Sequence, residues 1–279
     1  MFKDAIKGLL WIINALLSGT INSGNLSTTL PNFNEDIYNF VTDISSGIIS
    51  TVALMILSLC AMLEFLKMTT KTEGMGGGVM SVETIGKVLF KIFFCKLIID
   101  NSSVIMNAIY DASLYLINGI RGAIPGGTPG ADVLDLTALN LVIDNAGMGD
   151  QILALLVAII VLLVIAIICI IVDVIIVARF IEIYILLSIS PIPIATICHD
   201  EFSQIAKNFI KTFAAICLQG VLLLLVIGFF PLLLDSEFLK NAENGSVTMS
   251  LLPVLGYSFI LALAVFSTQK WAKSIFNAM

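Results

Sequence analysis

Residues 151–190 read QILALLVAIIVLLVIAIICIIVDVIIVARFIEIYILLSIS, and this stretch decides the fold. Its only charged residues are Asp173, Arg179 and Glu182. A helix that spans a bilayer needs about 20 apolar residues, so the stretch is about twice as long as one crossing requires. No Gly, Pro or Asn near Asp173–Arg179 turns the chain back. We therefore predict one overlong helix with a single crossing; the alternative is a second, re-entrant pass.

The composition indicates an integral membrane protein built from helices. Of the 279 residues, 58% are hydrophobic and 12% are charged, whereas an ordinary soluble domain is roughly 25% charged. The mean hydropathy is +1.05. The alternation of apolar and polar residues that is typical of membrane β-barrels does not occur, so helices are the spanning elements. The predicted fold class is all-α, a polytopic membrane helical bundle.

Four further apolar tracts bring the prediction to about five transmembrane helices. They cover residues 48–66, 88–117, 209–234 and 251–268. We expect Ser45 or Ser46 to cap the first span, a short surface helix at 134–143, and a polar loop at 235–246. Before the first span, apolar residues recur at helical spacing, with Lys3, Asp4, Lys7, Asn14 and Ser18 on the other face. This pattern favours an amphipathic helix at the membrane interface over a cleaved signal peptide.

The predicted organisation has four parts. Residues 1–43 form the amphipathic helix and an external segment, and residues 44–118 hold two transmembrane helices with a Gly-rich cytoplasmic loop. An acidic Gly/Pro-rich external loop follows at 119–150, and residues 151–279 contain the overlong helix, a proline turn and the last two spans. Five crossings put most Lys and Arg on the cytoplasmic side, which predicts an external N-terminus and an internal C-terminus in the cytoplasmic membrane.

The charges at the end of the overlong helix need an explanation, because arginine is costly in hydrocarbon. Arg179 and Glu182 stand at i,i+3 and can pair, while Asp173 lies about 120° away around the axis. One interpretation is a helix end just past the membrane, where Arg179 reaches water. The other is that this segment is buried against other subunits or cytoplasmic partners.

No motif for catalysis or for cofactor or metal binding is found. The Gly-rich stretch GMGGGV at 74–79 fits no nucleotide-binding pattern. His199, followed by Asp200 and Glu201, is interpreted as a solvated turn and not as a metal site. The five cysteines lack metal-ligand spacing and are interpreted as small hydrophobic residues. Without a basic patch interleaved with aromatics, sequence-specific DNA binding is not expected.

A polar stripe marks the second predicted span. Its members follow helical steps of four and three residues, opposite an apolar face, and they are Lys96, Asp100, Ser103, Asn107 and Asp111. Lys96 and Asp100 can pair at i,i+4. We expect the stripe to face a bundle interior as a polar seam, a subunit interface or an aqueous translocation path.

Residues 178–228, ARFIEIYILLSISPIPIATICHDEFSQIAKNFIKTFAAICLQGVLLLLVIG, resemble the TrbL-like family of polytopic inner-membrane proteins in type IV secretion and conjugation machines. The features that carry this resemblance are the overlong helix, the proline turn at Pro191 and Pro193, and a span bearing Gln219 and Gly220. The amphipathic N-terminus and acidic external loop are also similar, in the form found on Gram-positive mobile elements.

The resemblance implies a non-enzymatic channel subunit without a cofactor. It would form a homo-oligomer in the lipid bilayer, contact other transfer-channel subunits, a secretion ATPase and a coupling protein, and help pass a relaxase-bound DNA strand. The implied cytoplasmic docking surfaces are the helix extension 173–184 and the turn 190–202, with Asp173, Arg179, Glu182, Pro191, Pro193 and His199 as candidate residues. The alternative function is a self-contained secondary transporter or ion channel that uses the polar stripe.

Overall fold

The computed structural model describes residues 2–21, 24–73, 82–124, 143–144, 147–242 and 247–278. All regular structure in these ranges is helical, which confirms the predicted all-α class. The α-helices are α1 (Phe2–Ile21), α2 (Leu30–Phe33), α3 (Glu35–Ile44), α4 (Ser50–Glu73), α5 (Val82–Asp100), α6 (Ser102–Arg121), α7 (Met148–Ile189), α8 (Pro191–Ala195), α9 (Ser203–Ala242) and α10 (Val247–Phe276). Short 3-10 turns occur at Gly24–Ser27 and Thr196–Cys198, and a π-helical turn occurs at Ser45–Ile49.

The overlong helix is confirmed. Helix α7 has 42 residues without a break, which makes it about 63 Å long at 1.5 Å per residue. Three described segments are long and apolar enough to cross a membrane: Glu35–Thr70, Met148–Ile189 and Ser203–Phe230. They correspond to the first, third and fourth predicted spans. The second and fifth spans stay predictions.

The first of these segments begins earlier than predicted. Asn34 caps α3, because its Oδ1 accepts a hydrogen bond of 2.9 Å from the backbone N–H of Ile37, and two acidic residues occupy the first turn. The helical path then continues through the π-helical turn Ser45–Ile49 into α4. The expectation that Ser45 or Ser46 caps the span was therefore wrong, since an earlier cap already starts the helix.

Two other expectations about the connections differ from the structure or lie outside it. The predicted loop at 235–246 is helical as far as Ala242. This is reasonable because DSEFLKNA contains no Gly or Pro to stop the helix. The Gly-rich loop at 74–79 and nearly all of the expected surface helix at 134–143 lie outside the described residues.

The chain divides into two compact units, each made of separate stretches of sequence. Unit 1 comprises Met1–Thr28, Ser113–Arg179 and Leu218–Trp271. Within it, α1 buries Ile6, Leu10, Ile13 and Leu17. Asn14, which the sequence pattern placed on the polar face, is buried as well.

Helix α1 contacts other parts of unit 1 at both ends. Near its start, Lys7 Nζ lies 2.9 Å from a carboxylate oxygen of Asp144, in the predicted external loop. Toward its end, Leu16 and Thr20 line a cavity of about 390 Å³ together with Cys169 and Asp173 of α7. The predicted amphipathic helix is therefore present, and it packs against the long helix.

Unit 2 comprises Thr29–Ala112, Phe180–Cys217 and Ala272–Met279. Its core contains side chains of α4 at i, i+4 and i+7, namely Ala53, Leu57 and Cys60. A second packing site is aromatic: the Phe33 ring stacks on Phe180 with 3.8 Å between centroids. These contacts hold the end of α7 and the turn that follows it, where the predicted docking residues lie.

Candidate functional site

The proline turn after α7 is built by local hydrogen bonds. Ser190 ends the long helix, and its Oγ donates to the carbonyl of Leu187 over 2.9 Å. Pro191 starts the five-residue helix α8, a position where its missing N–H costs nothing. Thr196 Oγ1 donates to the carbonyl of Pro193 over 2.7 Å. The break predicted at Pro191 and Pro193 is therefore present, because the long helix ends at Ile189 and a separate short helix follows at Pro191–Ala195.

The turn packs into a core that α4 and α5 share. Ile194, Ala195 and Cys198 from the turn join Cys95 and Ile99 of α5 in one buried cluster with the α4 residues. Ala and Cys are small, so the backbone of the turn can approach both helices closely. This packing fixes the loop that follows, residues 199–202, against the ends of α4 and α5.

Three of the cysteines converge in this core. Cys60, Cys95 and Cys198 are free and buried, and the Cys95 and Cys198 thiols interact directly. Burial raises the pKa of Cys198 to about 12, so its thiol stays protonated at neutral pH. The thiols therefore act as small apolar side chains, as predicted. Among the described residues no cluster of His, Cys, Asp or Glu is suited to hold a metal ion.

A charge clamp, which we define as Glu64, Lys91 and Asp200, fastens the loop. Lys91 Nζ donates to Glu64 Oε1 and to Asp200 Oδ1, each over 2.9 Å. Glu64 is 6% exposed, and Lys91 is the cation that contacts its carboxylate. The hydrogen bond and charge of Lys91 hold the pKa of the Asp200 carboxyl below its usual value. Lys67 adds weaker contacts, 3.9 Å from Asp200 and from Glu201.

His199 lies behind the clamp and not in solvent. Its side chain is buried at 5% exposure, and its Nε2 is 3.9 Å from Glu64 Oε2. The backbone N–H of Glu201 donates to its Nδ1 over 3.3 Å, which leaves Nε2 as the protonated nitrogen of the neutral ring. The interpretation of His199 as a solvated turn was wrong, because the ring packs against Phe202 as the loop folds back onto α4.

The exposed face of the loop consists of the last residues of the turn 190–202, which the sequence analysis gave as a candidate docking surface. The side chains of Asp200 and Glu201 are 68% and 70% exposed, and Phe202 is also exposed. The motif HDEF after the proline turn was the available signal. Of the predicted docking residues in this region, Pro191 and His199 are buried, and Pro193 is half-buried.

Arg179 is the largest departure from the sequence-based expectation. It is 1% exposed, so the prediction that its guanidinium reaches water was wrong. The guanidinium lies against Gly220 of α9, in the space that a Cβ at that position would fill. Glycine is what allows this close approach. Asp173 is exposed on the same helix and Glu182 is half-buried.

The predicted polar stripe is spread over two helices, because the expected second span is interrupted at Asn101. Helical hydrogen bonds still cross the interruption, from Asn101 N to Leu97 O and from Ile105 N to Asn101 O. Lys96 pairs with Asp100 at 3.2 Å, as predicted.

The side chains of the stripe are only partly buried by the described residues. Its charged members, Lys96, Asp100 and Asp111, are exposed, whereas Ser103 and Asn107 are half-buried. Asn107 Nδ2 donates to Tyr38 Oη over 2.9 Å. The expectation that the stripe forms a polar seam in the interior of the bundle is therefore wrong for its three charged residues within the described chain. The subunit interface and the translocation path stay open for them.

A small polar cavity lies beside the stripe. It has a volume of about 140 Å³ and adjoins the π-helical turn, a kind of distortion that is frequent at functional sites. Its lining includes the serines Ser45, Ser46, Ser50, Ser102 and Ser103, with Asp100 and Pro191. The sequence analysis predicted Ser45 or Ser46 only as a helix cap. The close spacing of Ser45, Ser46 and Ser50 in TDISSGIIS was the signal that could have predicted a group of serines at this cavity.

Comparison with known proteins identifies the family. The profile of the TrbL/VirB6 plasmid conjugal transfer-like family matches residues 18–191, more than half of the chain. No curated protein and no solved structure matches the chain significantly. The matched part contains the polar stripe, Glu64, Lys91 and the whole of the overlong helix, and it ends at the first proline of the turn. The chain therefore belongs to the TrbL/VirB6 plasmid conjugal transfer-like family of membrane proteins.

Proposed function

We propose that this chain is a non-enzymatic subunit of a conjugative transfer channel, which oligomerises in the cytoplasmic membrane and helps pass a relaxase-bound DNA strand outward. The family supports a component of the conjugal transfer apparatus. The three long apolar segments support its place in a membrane. The N-terminus is external and the C-terminus is cytoplasmic in this proposal, following the distribution of Lys and Arg.

The charge clamp is the observation that carries the proposed contact with cytoplasmic partners. Lys91 ties Glu64 to Asp200, so the loop presents the exposed carboxylates of Asp200 and Glu201 in a fixed position. An acidic surface held this way suits a basic patch on a partner protein, because charge complementarity sets the register of docking. We assign this surface to a secretion ATPase or a coupling protein.

The other predicted docking residues have different roles in this proposal. Pro191 and His199 position the acidic loop from behind, and Arg179 holds α7 against α9. Asp173, Glu182 and Pro193 keep accessible surface and stay candidates for contact with other channel subunits. The exposed charges of the stripe, Lys96, Asp100 and Asp111, face a neighbouring copy of the chain or the path of the DNA.

A conjugation assay in the native host tests the proposal. Deletion of the gene is expected to abolish DNA transfer, and the full chain is expected to restore it. Unimpaired transfer after deletion would refute membership in a working transfer machine. Substrate flux by the purified protein in liposomes, without any ATPase, would instead support the self-contained transporter or ion channel.

The contribution of the clamp is tested by Lys91→Met, with Lys87→Met as the matched control one helical turn away. Lys87 makes only an exposed pair with Glu83 among its described contacts, and such pairs contribute little. Loss of Lys91 leaves Glu64 buried without its cation, which costs about 3–5 kcal/mol. We expect Lys91→Met to lower transfer on the order of tenfold or more and Lys87→Met to leave it unchanged.

The docking role itself needs variants that leave the clamp core intact. Replacing Glu201 and Phe202 by alanine is expected to lower transfer while the amount of protein in the membrane stays constant. Glu35→Ala with Asp36→Ala, a second exposed acidic pair, serves as the control and is expected to transfer normally. Equal transfer by both double variants would exclude the acidic loop as a docking surface.

A further inference from the structure

An apolar groove runs between α9 and α10 in unit 1. It has a volume of about 210 Å³. Helix α9 contributes Phe229, Phe230 and Leu233, and α10 contributes Ile260, Ala264 and Trp271, among others. Ala264 is the smallest of these side chains and leaves the space that the larger ones surround. Phe229 and Ile260 are 54% and 55% exposed, so the groove opens to the outside of the described chain.

The apolar side chains that line the groove favour a hydrocarbon ligand. Of the nine side chains that line the groove only Tyr257 and Trp271 carry a hydrogen-bonding group. A polar ligand would therefore lose its contacts with water and find few in return. Helix α9 begins with one of the candidate membrane spans, and α10 covers the last predicted span. Lipid is the solvent for exposed apolar helix surfaces in such a protein.

The length of the groove fits one acyl chain. Tyr257 and Trp271 line it from positions 14 residues apart on α10, which is about 21 Å along a helix axis. One leaflet accounts for about 15 Å, half of the hydrocarbon thickness. The groove therefore covers the depth of a single leaflet and the start of the interfacial layer.

The Trp271 end has the features of a lipid headgroup site. Indole rings favour the boundary between hydrocarbon and headgroups, and Trp271 is 46% exposed. Lys270 is one position before Trp271 and about 100° from it around the helix. It is also exposed, and its long side chain carries an ammonium group that attracts an anionic headgroup. We propose that this groove binds one acyl chain of an anionic phospholipid, whose headgroup lies at Lys270. This inference goes beyond the transfer function and does not depend on it.

Quenching of tryptophan fluorescence by brominated lipids tests the proposal on the full chain in nanodiscs. The protein contains two tryptophans, so Trp11→Phe leaves Trp271 as the only reporter. Phosphatidylglycerol brominated on its acyl chains is compared with phosphatidylcholine brominated at the same positions, each at a low fraction of the total lipid. One lysine near the surface favours the anionic lipid by roughly fivefold.

Two variants locate the site in the Trp11→Phe background. Ala264→Phe fills the groove and is expected to remove the excess quenching by both lipids. Ala262→Phe, the same change at a position of the same helix that does not line the groove, is its control and is expected to change nothing. Lys270→Gln is expected to abolish the preference for the anionic lipid without filling the groove, and Lys87→Gln controls for loss of a lysine elsewhere.

Two results would overturn the proposal. Quenching in proportion to the lipid fraction, equal for both headgroups and unaffected by Ala264→Phe, would mean that Trp271 meets only bulk lipid. Absence of quenching by either lipid would mean that a second copy of the chain or another protein covers the groove. Because the readout is fluorescence, neither result depends on the outcome of the conjugation assay.

Discussion

Gly220→Ala tests the packing of Arg179 directly. Atoms of the Arg179 guanidinium occupy the place that the added methyl group needs, so the guanidinium must leave its position. Displacing a buried charge from its surroundings costs about 3–5 kcal/mol. Alanine in a helix interior returns about 1 kcal/mol relative to glycine. The expected net loss of stability is therefore about 2–4 kcal/mol.

The measurement is the free energy of unfolding of the purified protein in a defined lipid or detergent environment, and Gly256→Ala is the matched control. Gly256 is also helical, and a Cβ there meets nothing within 4 Å. The control variant is therefore expected to be neutral or up to about 1 kcal/mol more stable. The difference between the two glycines isolates the contact with Arg179 from helix propensity.

A double variant completes the test. Arg179→Met removes the guanidinium, so Gly220→Ala should cost much less in that background than in the native chain, a coupling that a double-mutant cycle measures. If Gly220→Ala is as stable as Gly256→Ala, or if its cost is the same with Met at 179, the guanidinium does not lie against Gly220 and the reasoning is refuted.

Three further predictions follow from the described contacts. Because its pKa is lowered from 3.8 in the folded protein, Asp200 contributes stability that is present above that pH and is lost as the pH falls through the lowered value. Asp200→Asn should therefore cost about 0–1 kcal/mol at pH 7, the usual range for an exposed pair, and the difference from the native chain should shrink in acid denaturation curves as the pH falls through the lowered pKa. Cys198 should resist alkylation at pH 8 in the folded protein and react after unfolding, as counted by mass spectrometry; rapid labelling of the folded chain would contradict its burial. Tyr38→Phe should cost about 0.5–1.5 kcal/mol through the lost hydrogen bond from Asn107, and an unchanged unfolding free energy would show that this bond contributes nothing.

The sequence predicted the elements that depend on length and composition. The long apolar run could form only a helix, since a bilayer leaves no water for unpaired backbone groups and no residue near Asp173 turns the chain. The long helix ended just before Pro191, which lacks the N–H that would donate the next bond of the helical ladder. The pairing of Lys96 with Asp100 followed from helical spacing alone.

The prediction was wrong where the outcome depended on packing between distant segments. The helix start at Asn34 is a local exception, because the cap bond to Ile37 lies within three residues and the sequence analysis considered only Ser45 and Ser46. His199 was expected in water, but α4 supplied Glu64 and α5 supplied Lys91 to draw its loop inward. No periodicity in the sequence predicts the contact between Lys91 and Asp200, because these two residues are 109 positions apart in the chain.

Arg179 shows the same limit most clearly. The sequence by itself determined that an arginine stands about three quarters of the way along a 42-residue helix, and that such a charge must leave the hydrocarbon or find a site. Only the tertiary structure decided between these outcomes, by bringing Gly220 of α9 against it. The physical reason is that burial of a charge depends on the space and the partners that other helices provide. Those are properties of the packed helices, whereas helix formation itself depends mainly on neighbouring residues.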